Sequence, residues 1–420
     1  MIVQITEILL ILTFSFYGMK STFQRKDVFM LFFWIINMYK SVMASTICLG
    51  IMKDGGSDLF KVVIGDMNNL TAIFIHIIFI CNVSFFVTEF YLRKKTKFNY
   101  LFDRDTFLSI DANEKLFIVL LLVFVISGTM YFLTYMNADY STFNKVAYNS
   151  NKMIARSMQV SSCVMFYLAY KKKWTPFSYF CILFLVLSMR TTVRSLLYVV
   201  MLPSLTYYLI QYWKNGKDFK QFARLTIPLF AVAIFFGIWM SFDKMGGKII
   251  LPDAELTPLA LNALSRYSFE VDGYRTFDTF INFAYGLLAP FMGILGTFGL
   301  DFKNPLSFSY VSAALMKGEA DLGATVGEWH CPSTIYLDFY ISWGWFFPIF
   351  CVLVYFLFVY ILQFINKRPI MVVLLSYQLM LFLYFYIRGA VDTASGTLSY
   401  PLIYLTFIYI VFSNKTRSDV

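Results

Sequence analysis

The chain has 420 residues, of which 59% are hydrophobic, 20% aromatic and only 14% charged. Soluble domains carry about 25% charged residues, so this composition excludes an ordinary soluble protein and indicates an integral membrane protein. The formal net charge of +10 would raise the question of nucleic acid in a soluble protein. Here the positive charge lies in short clusters between apolar stretches, as the positive-inside rule expects. We therefore predict contact with anionic membrane lipid and no nucleic-acid partner.

Apolar stretches recur along the chain, each with about 20 residues and uniformly apolar, which is typical of spanning helices rather than of barrel strands. We predict an all-α polytopic integral membrane protein with about eleven transmembrane helices, in the range of about ten to twelve. Residues 1–420 then form a single membrane domain. The predicted spans are 2–19, 28–51, 68–91, 116–135, 153–170, 175–189, 195–213, 225–241, 334–362, 369–388 and 399–413.

Basic residues in the short loops set the orientation of these spans. They fall on one side, which we predict to be cytoplasmic: Lys20, Arg25 and Lys26; Arg93, Lys94, Lys95 and Lys97; Lys171, Lys172 and Lys173; Lys214, Lys217, Lys220 and Arg224; Lys367 and Arg368; Lys415 and Arg417. The N-terminus then lies outside, and so does the one large loop, 242–333. Loops longer than about 15 residues are usually functional or disordered, and this one is too rich in Phe, Tyr and Leu to be disordered.

Two arginines in "LSMRTTVRSLLYVV", Arg190 and Arg194, join two predicted spans on the outer side. A guanidinium at bilayer depth costs about 2.5–3.5 kcal/mol on insertion scales. On one helical face, the pair would suit a pyrophosphate, which arginine binds through a bidentate fork. The alternative is that both side chains snorkel to lipid headgroups at a tight turn.

Two further charged groups are candidates for substrate binding. Arg266 and Arg275 lie among loop carboxylates in "SRYSFEVDGYRTFDTF" and could bind an anionic or polyhydroxylated substrate, or form an ordinary solvated salt-bridge network. Arg388 and Asp392 mark the outer end of a late span in "IRGAVDTASG". That pair could neutralise itself, but intramembrane ionisable residues are functional candidates by default.

The segment "GEWHCPSTIYLDFYISWGW" carries His330, one of only two histidines in the chain, with Glu328 before it and Asp338 after it. An imidazole near the outer membrane surface can act as a general base at neutral pH. The alternative is that His330 anchors the return of the loop to the membrane. The other histidine, His76, lies mid-span among Ile and Phe, and we interpret it as a satisfied helix-packing residue. The chain has no metal-binding or nucleotide-binding motif, so we expect neither a metal ion nor a cofactor.

At these motifs the chain resembles the O-antigen polymerases, the Wzy-type repeat-unit polymerases of bacterial surface polysaccharides. The resemblance rests on the hairpin "SMRTTVRSLL", one large outer loop late in the chain, the re-entry "HCPSTIYLDFYISWGW" and the late "IRG". It implies a GT-C-like helical fold in the bacterial inner membrane with a metal-independent active site facing the periplasm. It also implies transfer of a growing glycan from undecaprenyl pyrophosphate onto a new lipid-linked repeat unit, with a chain-length regulator protein as a further partner.

The related O-antigen ligases carry an arginine and a histidine in their large outer loop, and by that analogy Arg190, Arg194, Arg275 and His330 look like the functional set. The spacing departs from the ligases, since His330 is followed here by Cys331 and Pro332. The resemblance implies His330 as base, oriented by Glu328 or Asp338. Three rival functions remain open: a lipid-linked oligosaccharide flippase, an O-antigen ligase and a membrane O-acyltransferase.

Overall fold

The structure is a computed structural model, and it describes residues 2–25, 27–49, 67–95 and 334–366, with single helical positions within 122–129, 261–264, 281–291 and 382–403. These residues are helical apart from caps and turns. Among them are four helical stretches long and apolar enough to cross a membrane: Ile2–Gln24, Phe29–Cys48, Asn69–Arg93 and Ile335–Tyr360. This confirms the all-α membrane class for the described part of the chain. The count of eleven spans and the loop 242–333 stay predictions.

The chain divides into two compact units. The first comprises Met1–Tyr100, Ile249–Gln363 and Phe382–Gly396, and the second comprises Leu101–Lys248, Phe364–Leu381 and Thr397–Val420. The helices below lie in the first unit, except for the last three residues of the final helix. In the second unit Leu122, Val125, Ile126 and Thr129 are helical and exposed. Their spacing puts them on one helical face, as expected of a surface against lipid.

Helices α1 (Ile2–Gln24) and α2 (Val28–Cys48) form an antiparallel hairpin. Asp27 starts α2, because its Oδ1 accepts a hydrogen bond of 3.0 Å from the backbone N–H of Met30 and so caps the helix. Gly18 lets the two helices close on each other, since an added Cβ there would overlap the indole ring of Trp34. The spans predicted at 2–19 and 28–51 are thus confirmed as helices.

Helix α3 (Met67–Lys95) packs along α1 through aromatic side chains. Phe14 stacks on Phe86 with ring centroids 4.6 Å apart, and Tyr17 meets the same ring edge-on at 5.1 Å. Such pairs add about 0.5–1.5 kcal/mol beyond the area that they bury. The span predicted at 68–91 is confirmed as a helix and extends a further turn at its C-terminal end.

The apolar stretch predicted as one span over 334–362 is divided into two helices. Helix α4 (Ile335–Trp343) ends at Gly344, a 3-10 turn follows over Gly344–Phe346, and helix α5 covers Phe347–Asn366. Gly344 has φ +53°, a left-handed conformation that glycine adopts at no steric cost. Pro348 has no N–H to donate to the carbonyl of Gly344, so a continuous helix could not form there.

Ring contacts show that α4 folds back beside α5. The ring centroid of Phe350 lies 5.0 Å from that of Phe339 and 4.3 Å from that of Trp343. In one straight helix, positions 339 and 350 would be about 16 Å apart along the axis. Helix α4 has 9 residues and is therefore about 13 Å long, less than half of a hydrocarbon core of about 30 Å. The two helices form a hairpin with its turn at Gly344–Phe346, which differs from the uninterrupted span that the sequence predicts.

A closed ring of four buried side chains ties this hairpin to α2 and α3. Asn37 Nδ2 donates to Asn82 Oδ1 at 2.7 Å, and Asn82 Nδ2 donates to Ser41 Oγ at 3.0 Å. Ser41 Oγ lies 2.7 Å from the hydroxyl of Tyr336, which donates to Asn37 Oδ1 at 3.0 Å. With Ser41 donating to Tyr336, each member both donates and accepts, so the buried polar groups stabilise one another instead of remaining unpaired.

Two short pieces of the predicted loop 242–333 are among the described residues. Leu261 and Leu264 are helical and buried. Residues 283–288 are also helical, and the ring of Phe283 meets that of Phe382 edge-on at 6.0 Å.

Candidate functional site

Only one of the predicted site residues, Asp338, lies among the described residues. The others lie outside them: His330, Glu328, Arg190, Arg194, Arg266, Arg275, Arg388 and Asp392. Their assignments as base, orienting group, pyrophosphate ligands and sugar ligands stay predictions. The described residues therefore show the surroundings of the predicted site and, of its members, Asp338 alone.

Asp338 lies in the first turn of helix α4 and is fully buried. Its Oδ1 accepts a hydrogen bond of 3.0 Å from Ser342 Oγ. Thr334 caps α4 by accepting from the N–H of Leu337 at 3.4 Å. A carboxylate near a helix N-terminus is stabilised by the helix dipole, so Asp338 is held in one position by both the dipole and Ser342. In the chain His330 is four residues from Thr334, and the backbone keeps it within about 14 Å of the start of α4.

A second pair of ionisable residues lies where α1 meets α3. His76 Nδ1 is 2.7 Å from Glu7 Oε1. The Glu7 side chain is only 9% exposed, whereas that of His76 is 55% exposed. The contact satisfies one ring nitrogen of His76 and joins α3 to α1, as our interpretation of a satisfied helix-packing residue expects. The His76 side chain is more than half exposed, and its contact with the buried carboxylate of Glu7 fixes its orientation.

The pair lines a groove of about 290 Å³ between α1, α3 and the apex of the α4–α5 hairpin. Its lining includes Gln4 and Ile73 beside the pair, and Tyr340 and Trp345 from the hairpin. Trp345 is 78% exposed, and its ring meets Tyr340 edge-on at 5.8 Å. The volume is at the lower end of the range for small-molecule sites, which is about 300–1,000 Å³. By the predicted orientation the groove lies in the extracytoplasmic half of the membrane.

The sequence does carry a signal for Glu7, which is the only charged residue before Lys20. A carboxylate inside an apolar span is a functional candidate by default. Its pairing with His76, which is 69 residues away in the chain, depends on how α1 and α3 pack. That pairing has no local signature in the sequence.

A third polar cluster, at the predicted cytoplasmic ends of the spans, is centred on the buried carboxylate of Glu89. Its Oε1 accepts from Ser21 Oγ at 2.7 Å, and its Oε2 accepts from Arg25 Nη2 and from the Tyr355 hydroxyl, both at 2.8 Å. The Tyr355 hydroxyl accepts in turn from Trp34 Nε1 at 2.9 Å. The network joins α1, α2, α3 and α5 and is largely buried. We therefore interpret it as a structural network that stabilises the packing of these four helices.

Asp27 adjoins this cluster in the connection between α1 and α2. Burial raises the pKa of its carboxyl to about 6, against the opposing influence of Arg25, whose Nη2 lies 3.9 Å from Asp27 Oδ2. At that distance the ion pair is too long for a direct hydrogen bond. Desolvation therefore outweighs the attraction, and Asp27 takes up its proton at a higher pH in the folded protein than an exposed aspartate does.

No protein-family model, no curated protein and no solved structure matches the chain.

Proposed function

We propose that the chain is a bacterial surface-polysaccharide polymerase of the O-antigen type. It transfers a growing glycan from undecaprenyl pyrophosphate to a new lipid-linked repeat unit at the periplasmic face of the inner membrane. The proposal rests on the four sequence motifs of the resemblance, and one structural observation supports it.

That observation is the hairpin of α4 and α5. It includes "TIYLDFYISWGW", which belongs to the segment that carries part of the resemblance. A helix that only half crosses a membrane is stable where it is buried in protein or lines a cavity. Here α4 carries a carboxyl group, that of Asp338, which is fully buried within the protein. A reaction on lipid-linked pyrophosphate needs such polar groups below the membrane surface.

The proposed reaction is a displacement at an anomeric carbon. A sugar hydroxyl of the new repeat unit attacks that carbon, and the bond to undecaprenyl pyrophosphate breaks with its electron pair leaving on the pyrophosphate. His330 takes the hydroxyl proton, with Glu328 or Asp338 orienting it. Positive charge stabilises the departing pyrophosphate, and further side chains hold the sugars. Arg190, Arg194 and Arg388 would supply the charge, and Arg266, Arg275 and Asp392 would bind the sugars.

The test uses a strain that lacks the chromosomal gene and carries a plasmid copy. Arg190→Ala or His330→Ala should collapse the lipopolysaccharide ladder to core plus a single repeat. Arg93→Ala is the matched control, because its hydrogen bonds to Tyr17 and Gln24 are exposed and exposed charges contribute little to stability. A full ladder from either site variant, at normal protein levels in the membrane, would rule out that residue's role.

The flippase alternative gains one observation, the pair of Glu7 and His76 within two spans. Ionisable residues along a transport path are typical of transporters. The same strain separates the two functions, since loss of a flippase removes the repeat unit from the core altogether. Loss of a polymerase leaves one repeat in place.

A further inference from the structure

We propose that the groove of Glu7 and His76 holds one acyl chain of a membrane phospholipid. The chain fills the space that α1, α3 and the turn of the α4–α5 hairpin leave between them. The inference goes beyond the proposed function and does not depend on it, because it concerns the lipid around the protein and not the reaction.

The polar side chains beside the groove leave its walls apolar. His76 Nδ1 and Glu7 Oε1 lie 2.7 Å apart, so the two side chains satisfy each other at that contact. The side-chain oxygen of Gln4 is buried and out of reach of a ligand. The other lining residues are aliphatic or aromatic, and the surface exposed in the groove is almost entirely apolar. Van der Waals packing is therefore the main interaction that the groove offers, and this favours a hydrocarbon occupant.

The groove opens on a surface that membrane-crossing helices present outward. Its lining residues belong to Ile2–Gln24, Asn69–Arg93 and Ile335–Tyr360, each long and apolar enough to cross a membrane. Two of them, Val3 and Ile73, are large apolar side chains that are exposed. An apolar cavity stays free of water, and an empty one loses the contacts that filling atoms would make. In a bilayer the surrounding hydrocarbon supplies those contacts.

The same lining disfavours a peptide or a phosphate group as the occupant. An extended peptide would leave its backbone N–H and C=O groups unpaired between apolar walls, which costs several kcal/mol for each group. The described lining residues include no lysine or arginine, so a phosphate group would meet no permanent cation there. A phospholipid avoids both costs, because its acyl chain enters the groove while its headgroup stays at the membrane surface.

Two lipid chains fit such walls, the acyl chain of a phospholipid and a polyprenyl chain. Occupancy rises with the ratio of ligand concentration to dissociation constant. Since the groove has no polar group that recognises a headgroup, the more abundant phospholipid fills it. Trp345 is 78% exposed at the hairpin turn and lines the groove. Tryptophan is enriched at the level of lipid headgroups, so we place the ester end of the acyl chain beside Trp345.

Filling the groove with a side chain tests the proposal from the side of the protein. Ala72→Phe adds a ring inside the groove, and Val87→Phe adds the same ring on an exposed position of α3 outside it. We expect the wild type and Val87→Phe to retain phospholipid through extensive washing in detergent, and Ala72→Phe to lose it. Removal of lipid by a harsher detergent should lower the melting temperature of the first two proteins more than that of Ala72→Phe, whose ring replaces the chain. Equal retention by Ala72→Phe and Val87→Phe would contradict the proposal.

Photolabelling of the wild-type chain identifies the occupant and needs no variant that could misfold. The protein is reconstituted in phosphatidylethanolamine vesicles in which part of the lipid carries a diazirine on one acyl chain. It is then dissolved in detergent, washed free of bulk lipid, irradiated and mapped by mass spectrometry. We expect lipid adducts at groove residues such as Ile73 and none at Val87. Equal labelling of both positions, or no labelling at the groove, would overturn the proposal.

Two further runs exclude the other occupants. Polyprenyl phosphate added in an amount equal to the labelled phospholipid should leave the adducts at the groove unchanged, and their loss would assign the groove to a polyprenyl chain instead. Ile73→p-benzoylphenylalanine, irradiated in cells, should give adducts with phospholipid. A crosslink from that position to another segment of the chain, to a second copy or to another protein would overturn the proposal.

Discussion

The hydroxyl of Tyr336 on α4 lies 2.7 Å from the hydroxyl of Ser41 on α2. The residue before the ring member Asn82 on α3 is Cys81, whose Sγ lies 3.6 Å from that of Cys351 on α5. Tyr336 and Cys351 thus lie at one depth, although a straight helix would separate them by about 22 Å. The bond from Tyr336 therefore holds α4 in its folded-back position beside α5.

Tyr336→Phe should destabilise the protein, because it leaves Asn37 and Ser41 without their shared partner. Each unsatisfied buried group costs about 1–3 kcal/mol. We expect a clear fall in the melting temperature of detergent-solubilised protein. Tyr17→Phe is the control, since its hydroxyl accepts only an exposed bond from Arg93. Equal melting temperatures for the two variants would show that the ring does not hold α4.

Arg25→Met should be among the most damaging single changes in the described helices. It leaves the Glu89 carboxylate buried without its cation, and breaking such a pair costs about 3–5 kcal/mol. The double variant Arg25→Met with Glu89→Gln should regain much of that loss, because no unpaired charge remains. Thermal unfolding of the three proteins measures the effect. A double variant as unstable as the sum of the single variants would refute the pairing.

The pKa of Asp27 makes stability depend on pH. Its folded-state value of about 6 exceeds the ordinary value of 3.8, so the folded protein binds a proton that the unfolded chain has lost. The contribution is full below about pH 4 and is lost as pH rises through about 6, with a size on the order of 3 kcal/mol. Asp27→Asn keeps a capping side chain and should flatten this part of the profile. The melting temperatures of the wild type and of Asp27→Asn are compared between pH 4 and 7, a range that covers the shift of about two pKa units. The same pH dependence in both proteins would show that Asp27 is not the cause.

Gly344→Ala tests the turn at the apex of the hairpin. An alanine at φ +53° is strained, at a cost of about 1–3 kcal/mol, and relief of that strain would displace α4. We expect a shortened polysaccharide ladder together with reduced thermal stability. Phe346→Ala, at an exposed neighbouring position of the same turn, should leave both unchanged. Wild-type behaviour of Gly344→Ala would mean that the turn tolerates other conformations.

The first three helices could be predicted from the sequence because uniform apolar stretches of spanning length have few alternatives. The break of the helix at Gly344 could not be predicted, because the apolar content of 334–362 favours one continuous span. The only sequence signal for the turn is Gly344 followed four residues later by Pro348. The sequence indicates Arg25 as a charge that sets the topology, yet its side chain is only 11% exposed and is paired with Glu89. The pairing of residues so distant in the chain depends on how the helices pack, and the sequence alone does not predict it.

The most direct measurement is the lipopolysaccharide ladder of a strain from which the gene is deleted. A polymerase function predicts core carrying a single repeat unit, with the full ladder restored by the wild-type chain. Core without any repeat would contradict it in favour of a flippase or a ligase. An unchanged ladder in the deletion strain would exclude all three functions.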